Sequence, residues 1–291
     1  MIARASRRAV MFVLAVVLVA IGWEIYKALG PADGGDVFGA RVIPKTNDRA
    51  MPHTWDMVTR LFENESSAAD SRPLWWAVAG YAWYTLCLSL GGLVLGTFVG
   101  IGLAVLMARF KIAERGLLPW VIMSQTVPLI ALAPQVVSWS GRFDIAGWEW
   151  PRWASVCVLA AFLAFFPITI GTLRGLNSPP AAALELMDSY AASWWQTLRR
   201  LRFPAAVSYI VPSLKLGATA SVIGVIVSEI STGIPGGIGR AVISYAQAAT
   251  SDPEKLYGAL FGAAALGLVL YGMIVALEVA MLRKRPQEAT T

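Results

Sequence analysis

The residues able to do chemistry in this 291-residue chain are few, and most lie in apolar surroundings. There is one histidine, His53, and two cysteines, Cys87 and Cys157. One histidine without a cysteine cluster argues against a structural metal site. No Gly-x-Ser-x-Gly occurs, and a lone loop histidine leaves a hydroxyl nucleophile without a base. The run Gly233-Ile-Pro-Gly236-Gly237-Ile-Gly239 has the glycine content of a phosphate loop but lacks the Gly-Lys-Ser/Thr ending. It reads instead as a turn ahead of a short segment at 240–249. What remains is polar and intramembrane: Ser124, Gln125 and Thr126 before Pro128, and the carboxylates Glu24, Glu229 and Glu278. Such groups mark solute pathways by default.

The elements that must position them are membrane helices. Hydrophobic residues make up 57% of the chain and charged residues 14%, with mean hydropathy +0.60. A soluble domain carries about 25% charged residues. Apolar runs lie near 9–29, 74–108, 117–140, 153–173, 205–230 and 256–281. Each reaches the roughly 20 residues needed to cross a bilayer core. Alternation at period two is absent, so the expectation is an all-α integral membrane protein with six transmembrane helices. The length of the second run leaves room for an interfacial turn.

Orientation follows from the basic residues. With the N-terminus inside, segments 1–8, 109–116, 174–203 and 282–291 hold thirteen basic residues and four acidic ones. The opposite segments hold nine basic and eleven acidic. This bias puts both termini in the cytoplasm and the chain in the cell membrane as a multi-pass protein. The net charge of +6 then reflects topology, with no nucleic-acid partner expected. The first apolar run is too long for a signal-peptide core and lacks a small-residue cleavage site, so it reads as an uncleaved helix. The organisation expected is a first helix (1–30), an outer loop (31–73), a five-helix core (74–285) containing a polar loop (174–204), and a tail (286–291).

Within that frame several features take a local reading. Residues 54–62 fit a short amphipathic helix on the membrane surface, with Trp55, Val58 and Phe62 on one side. Tryptophans 75, 76, 83, 120, 139, 148, 150 and 153 fall at expected interfaces, as in an aromatic belt. Gly92, Gly96 and Gly100 share one helix face, which admits a close neighbour from the same chain or from a second subunit. Pro128 breaks the third run beside Ser124 and Gln125. Two readings stay open there: a pathway wall, or a kink satisfied by the hydroxyls of Ser124 and Thr126. Glu24 and Glu278 are near span ends, where they can snorkel. Glu229 is deeper, with three readings: docking of an outer partner, a gate lining, or pairing with a base.

The polar loop carries the most specific pattern. Ser178-Pro179-Pro180 reads as a helix start. A short helix then runs to Tyr190, Ala191-Ala192 allows a bend, and Ser193 caps a second helix expected to end at Phe203, before Pro204 re-enters the membrane. Glu185 is followed after six positions by Ala191, after ten more by Leu201, then by Phe203-Pro204.

This spacing resembles the coupling loop of ABC importer permeases, with Ala191 at the family's glycine position and Leu186-Met187 in place of two small residues. Gln125 to Pro134 ahead of Trp139-Ser-Gly141, and Gly217 to Glu229, are similar to the nitrate/sulfonate/taurine branch, which shares its pattern with riboflavin and thiamine-precursor permeases. The likeness covers about residues 40–285. It implies a coupling-helix loop between helices 4 and 5 and a permease paired as a homodimer. It also implies separate ATPase subunits that hold ATP and Mg, an extracytoplasmic solute-binding protein, and no cofactor on this chain. Glu185, Ala191, Ser193, Leu201 and Pro204 would couple to the ATPase. Ser124, Gln125, Pro128, Glu229 and Gly236 would line the pathway or its outer gate. The cargo expected is a small polar or anionic organic solute. A secondary transporter is the alternative, but no clear internal repeat and few central charges support it.

Overall fold

The computed structural model describes residues 2–37, 40–68, 70–142, 144–145 and 148–282. The tail 286–291 lies outside them. The chain order is α1 (Ile2–Leu29), the hairpin β1 (Gly35–Val37) and β2 (Ala40–Ile43), α2 (Thr54–Arg60), α3 (Leu74–Arg109) and α4 (Lys111–Met123). Next come α5 (Leu129–Val137), the short hairpin β3 (Asp144–Ile145) and β4 (Trp148–Glu149), α6 (Arg152–Leu176), α7 (Ala181–Ser189) and α8 (Trp194–Thr197). The chain continues with α9 (Phe203–Thr232), α10 (Ile238–Ala248) and α11 (Pro253–Leu282). Five segments are long and apolar enough to cross a membrane: Val10–Leu29, Leu74–Arg109, Arg152–Leu176, Trp194–Thr232 and Pro253–Val279. A sixth crossing is made only if a bent pair counts as one span: Lys111–Thr126 and Leu129–Val137 meet at 96°.

The break sits where Pro128 predicts trouble. Val127 is extended at ψ 121, because a residue before proline is pushed out of the helical region, and Pro128 itself is extended at ψ 114 as the N-cap of α5. Ser124 Oγ donates to the Val121 carbonyl at 2.7 Å, and Thr126 Oγ1 to Met123 at 2.8 Å. The hydroxyls thus satisfy carbonyls freed by the break. Elsewhere α3 runs unbroken for 36 residues, without the interfacial turn its length suggested. At 1.5 Å per residue it is about 54 Å long and projects beyond the hydrocarbon core.

The chain divides into two units. One comprises the chain up to Ala79 with Ala241–Gly262; the other comprises Gly80–Arg240 with the chain from Ala263 onward. In the first, the end of α1 is tied to the loop that follows it. Glu24 Oε1 accepts from Thr54 N and Oγ1, both at 2.7 Å, and Oε2 lies 2.8 Å from His53 Nδ1. Glu24 is therefore bonded to protein rather than left to snorkel. Lys27 pairs with Asp48 at 2.7 Å, holding the Asp48 carboxyl below the ordinary carboxylate range through its hydrogen bond and charge. On α2, Trp55 and Val58 are exposed, as is Phe62 just beyond it, while Met57 is buried. Arg60 grips Asp252 through Nε and Nη2, at 3.1 and 2.7 Å to Oδ2, and that contact raises its pKa.

In the second unit α6 is the central helix. The glycines of α3 serve packing within the chain: a Cβ on Gly96 would lie 3.0 Å from Ala164 Cβ, and one on Gly100 would lie 2.9 Å from the Phe165 carbonyl. Gly171, Gly175 and Gly224 bring α6 and α9 equally close. Small residues permit this contact without a hydrophobic drive in lipid. Leu86, Leu93, Ala164, Ile168, Ala218, Val222, Leu266 and Leu270 form the core where α3, α6, α9 and α11 meet. Cys87 and Cys157 are both free. Trp75, Trp76, Trp83, Trp120, Trp139 and Trp153 are exposed, as a lipid-interface belt requires.

Candidate functional site: the polar loop and the turn after α9

The loop after α6 is built from local rules. Asn177 and Ser178 end α6, with Ser178 Oγ donating back to the Gly175 carbonyl at 2.8 Å. Ser178 is thus a stop for α6, and Pro180 occupies the N-cap of α7. Arg202 Nη1 donates to the Leu176 carbonyl at 3.2 Å, meeting an orphan acceptor at the end of α6. None of the residues of α7 is buried; Glu185, Leu186 and Tyr190 lie exposed on or just after it.

The end of α7 is a two-bond reverse turn. Ala192 N donates to the Met187 carbonyl at 3.0 Å, and Ala191 N to Asp188 at 2.9 Å. This is the Schellman arrangement, whose C′ residue must be left-handed. Here C′ is Ala191, at φ 50, the one non-glycine residue with positive φ among the described residues. A left-handed alanine costs about 1–2 kcal/mol. The glycine spacing noted in the sequence therefore coincides with a backbone position that favours glycine.

Ser193 follows and starts α8 with a capping box. Its Oγ accepts from Gln196 N at 3.4 Å, while Gln196 Oε1 accepts from Ser193 N at 2.7 Å. The second helix does not stop at Phe203. It passes through a π-turn at Leu198–Arg202 into α9, making one helical segment of 39 residues. Pro204 is the physical reason for the wide turn: it offers no N–H to the Arg200 carbonyl and its ring crowds that turn. Leu198 is buried beside Ala104, Met107, Leu173 and Ala206, and Leu201 is half-buried. Arg109 of α3 stacks over Trp194 at 5.1 Å. The loop thus has an exposed first helix and a second helix bonded into the bundle.

The second polar site lies at the far end of α9. Glu229 is fully buried. Thr85 Oγ1 donates to its Oε1 at 2.9 Å, and Gly239 N donates to its Oε2 at 2.8 Å. Thr85 Oγ1 in turn accepts from Ile238 N at 2.9 Å. A carboxyl group at the first turn of α10 meets that helix's free N–H groups. The turn between them needs glycine: Gly233 is at φ 66 and Gly236 at φ 100, and a Cβ on Gly237 would overlap the Glu229 carboxyl. The protein atoms that hold Glu229 are thus a hydroxyl and a helix N-terminus. Gly236 sits in the same turn, beside Tyr84. Ser124 bonds inside its own turn, and exposed Gln125 and Pro128 lie at the break; the hydrogen bonds do not join them to Glu229.

Two further polar residues had no signal in the spacing. Thr85, 144 positions before Glu229, reads in sequence as one polar residue in an apolar run. Lys215 is inside α9 and pairs with Glu278 of α11 at 2.6 Å, so Glu278 is paired rather than snorkelling alone.

Comparison with known proteins gives this geometry its context. Residues 92–285 match the family model described as binding-protein-dependent transport system inner membrane component. The formylaminopyrimidine transport permease protein ThiX of Halalkalibacterium halodurans is 31% identical over 204 residues, covering 70% of this chain and 77% of that protein. The riboflavin transport system permease protein RibX of Chloroflexus aurantiacus is 28% identical over 199 residues, covering 68% and 70%. Among solved structures, the inward-facing MetNI methionine ABC transporter has a chain similar in fold, with TM-score 0.60 at 18% identity, covering 72% of this chain and 98% of that one. The five long apolar helices with the bent pair beside them, the helix α7 with no buried residue, and these matches over most of the chain lead to one conclusion: this multi-pass inner-membrane protein belongs to the binding-protein-dependent transport system inner membrane components, the non-catalytic permease subunits of ABC importers.

Proposed function

We propose that this chain imports a small polar or anionic organic solute, with ATPase closure coupled to alternating access through Glu185–Pro204. The observation that carries this reading is the contrast within the loop. Helix α7 has no buried residue, whereas α8 continues without a break as α9. An ATPase seated on Glu185, Leu186 and Tyr190 would meet a short helix held in a fixed pose by the turn at Ala191 and the cap at Ser193. Displacement of that helix would pass through the hydrogen-bonded turn at 190–193 and act on α9 as a lever, since the 39-residue segment Trp194–Thr232 has no loop within it. Leu201 and Pro204 belong to the stretch that transmits the motion.

At the other end of the same lever, Glu229 holds the Gly233–Gly239 turn and the start of α10. We assign this turn, with Gly236, to the outer gate. Ser124, Gln125 and Pro128 are assigned to the pathway wall at the 96° break, where a broken helix puts backbone polar groups at membrane depth. In this reading two copies pair across the pathway, two ATPase subunits bind ATP and Mg below, and a solute-binding protein docks outside. Both termini are cytoplasmic and lipid surrounds the belt. The named cargoes of ThiX and RibX, a formylaminopyrimidine and riboflavin, favour a heterocyclic solute. The test is co-purification from membranes: a tagged full-length chain brings down an ATPase subunit, and a chain that never does so contradicts the reading.

A further inference from the structure

On the side of the bundle that carries the polar loop, a groove of about 730 Å³ opens between α4, α6 and α9. Its charged and amide groups are at one end. Glu114, Leu173, Arg174, Asn177 and Ser178 lie toward the loop end of the helices. Leu118, Ile122, Phe166, Ile170 and Tyr209 lie further along them. A second hollow of about 420 Å³ shares Glu114 and Leu118 and continues along α4 over Lys111, Arg115 and Pro119. The joined surface thus carries Lys111, Arg115 and Arg174 against one acid, Glu114. Beside it, Phe110, Ile112 and Trp120 are exposed.

We propose that this groove seats one anionic phospholipid. Its head group rests on Arg115 and Arg174, and the first part of an acyl chain lies over Ile122, Phe166 and Ile170. Three observations select this occupant. Basic clusters between membrane helices on the cytoplasmic side suit acidic head groups. The apolar stretch begins where an acyl chain would, past the charged end. The groove is continuous with exposed apolar side chains of α4, Ile112, Trp120 and Ile122. A small hydrophilic solute would leave the Ile122–Ile170 stretch unfilled. The cytoplasmic assignment rests on the proposed coupling role of the 174–204 loop; the lipid measurement below needs no ATPase and so fails or succeeds separately from that role.

The test uses the full chain in phosphatidylcholine nanodiscs titrated with phosphatidylglycerol, with bound lipid counted by native mass spectrometry. Wild type retains one phosphatidylglycerol per chain in preference to phosphatidylcholine. The double variant Arg115→Gln/Arg174→Gln binds it roughly thirtyfold more weakly, since each of the two basic residues near a membrane surface contributes on the order of 1 kcal/mol. Ile170→Trp keeps every charge but fills the apolar end, and it loses the lipid comparably. Equal retention by wild type and both variants overturns the proposal. So does displacement by soluble glycerol phosphate as effective as by the lipid, which would make the site one for a free anion. Disulfide cross-linking of Ile170→Cys chains to one another would also overturn it, because a second copy would then cover the groove.

Discussion

Lys215 Nζ lies 2.6 Å from Glu278 Oε2, an ion pair joining α9 to α11 inside two membrane-spanning segments. Each side chain is about a quarter exposed, at 22% and 25%, and Tyr271 faces the ammonium at 6.0 Å. A lone charge in a span is costly, and removing one partner strands the other. Lys215→Met is therefore expected to destabilise the protein by roughly 2 kcal/mol, and Glu278→Gln by a similar amount. The exchange Lys215→Glu/Glu278→Lys restores most of the loss, because pairing is kept while position changes. Thermal unfolding of the purified permease in detergent checks this; an exchange variant no better than the singles would show that the pair contributes nothing.

Ala191 provides a test with the opposite sign. Its φ of 50 disfavours any side chain with a Cβ. Ala191→Gly removes that cost, partly offset by glycine's entropy in the unfolded chain, and is expected to stabilise by about 0.5–1 kcal/mol. Ala191→Val, β-branched at the same position, destabilises by more than that. A glycine variant less stable than wild type would contradict the left-handed turn.

Ser193 and Gln196 exchange side-chain and backbone hydrogen bonds across the start of α8. Ser193→Ala removes the cap and costs about 1 kcal/mol. If the cap also fixes the pose of α7 against an ATPase, transport falls more than stability, and Ser193→Asp recovers both. A transport rate that tracks only protein abundance across the three variants would reduce Ser193 to a local cap.

At the turn after α9, Glu229 takes hydrogen bonds from Thr85 and Gly239. Thr85→Val keeps the shape but leaves Ile238 N and the carboxyl without their shared hydroxyl, at about 1–3 kcal/mol. Gly237→Ala drives a Cβ into the carboxyl and is more damaging, whereas Gly102→Ala, with open space around the glycine, is tolerated. Cysteine accessibility in the 233–239 turn reads the effect: both damaging variants increase labelling from outside. Unchanged labelling in Gly237→Ala would contradict the packing of this turn.

Much of this architecture is legible in the amino-acid sequence, for reasons that differ by element. The spans are legible because lipid demands about 20 apolar residues from each crossing, and that demand is local. The loop is legible because its spacing encodes one short helix, one left-handed residue and one cap, all within 20 positions. Pro128 signals the break, although a sequence does not carry the 96° angle, which depends on how α5 packs on α6 and α9. Pro204 misleads in the other direction: a proline that reads as a boundary is absorbed by a π-turn, because neighbouring residues such as Leu198 and Ala206 are buried on both sides of it. Thr85 with Glu229, and Lys215 with Glu278, are not legible at all. Each pair is joined by tertiary packing across more than 60 positions, and each member alone looks like an isolated polar residue in a hydrophobic run.

The central claim is that α7 receives the motion of an ATPase through Glu185. The direct measurement is solute-stimulated ATP hydrolysis by the assembled complex in nanodiscs, comparing wild type with Glu185→Arg at matched ATPase content. Glu185 is exposed and makes no fold-supporting contact among the hydrogen bonds and ion pairs described, so the variant is expected to fold normally. The account predicts that stimulation falls at least tenfold while the permease keeps its thermal stability. Full stimulation in Glu185→Arg, with the ATPase still bound, would contradict it.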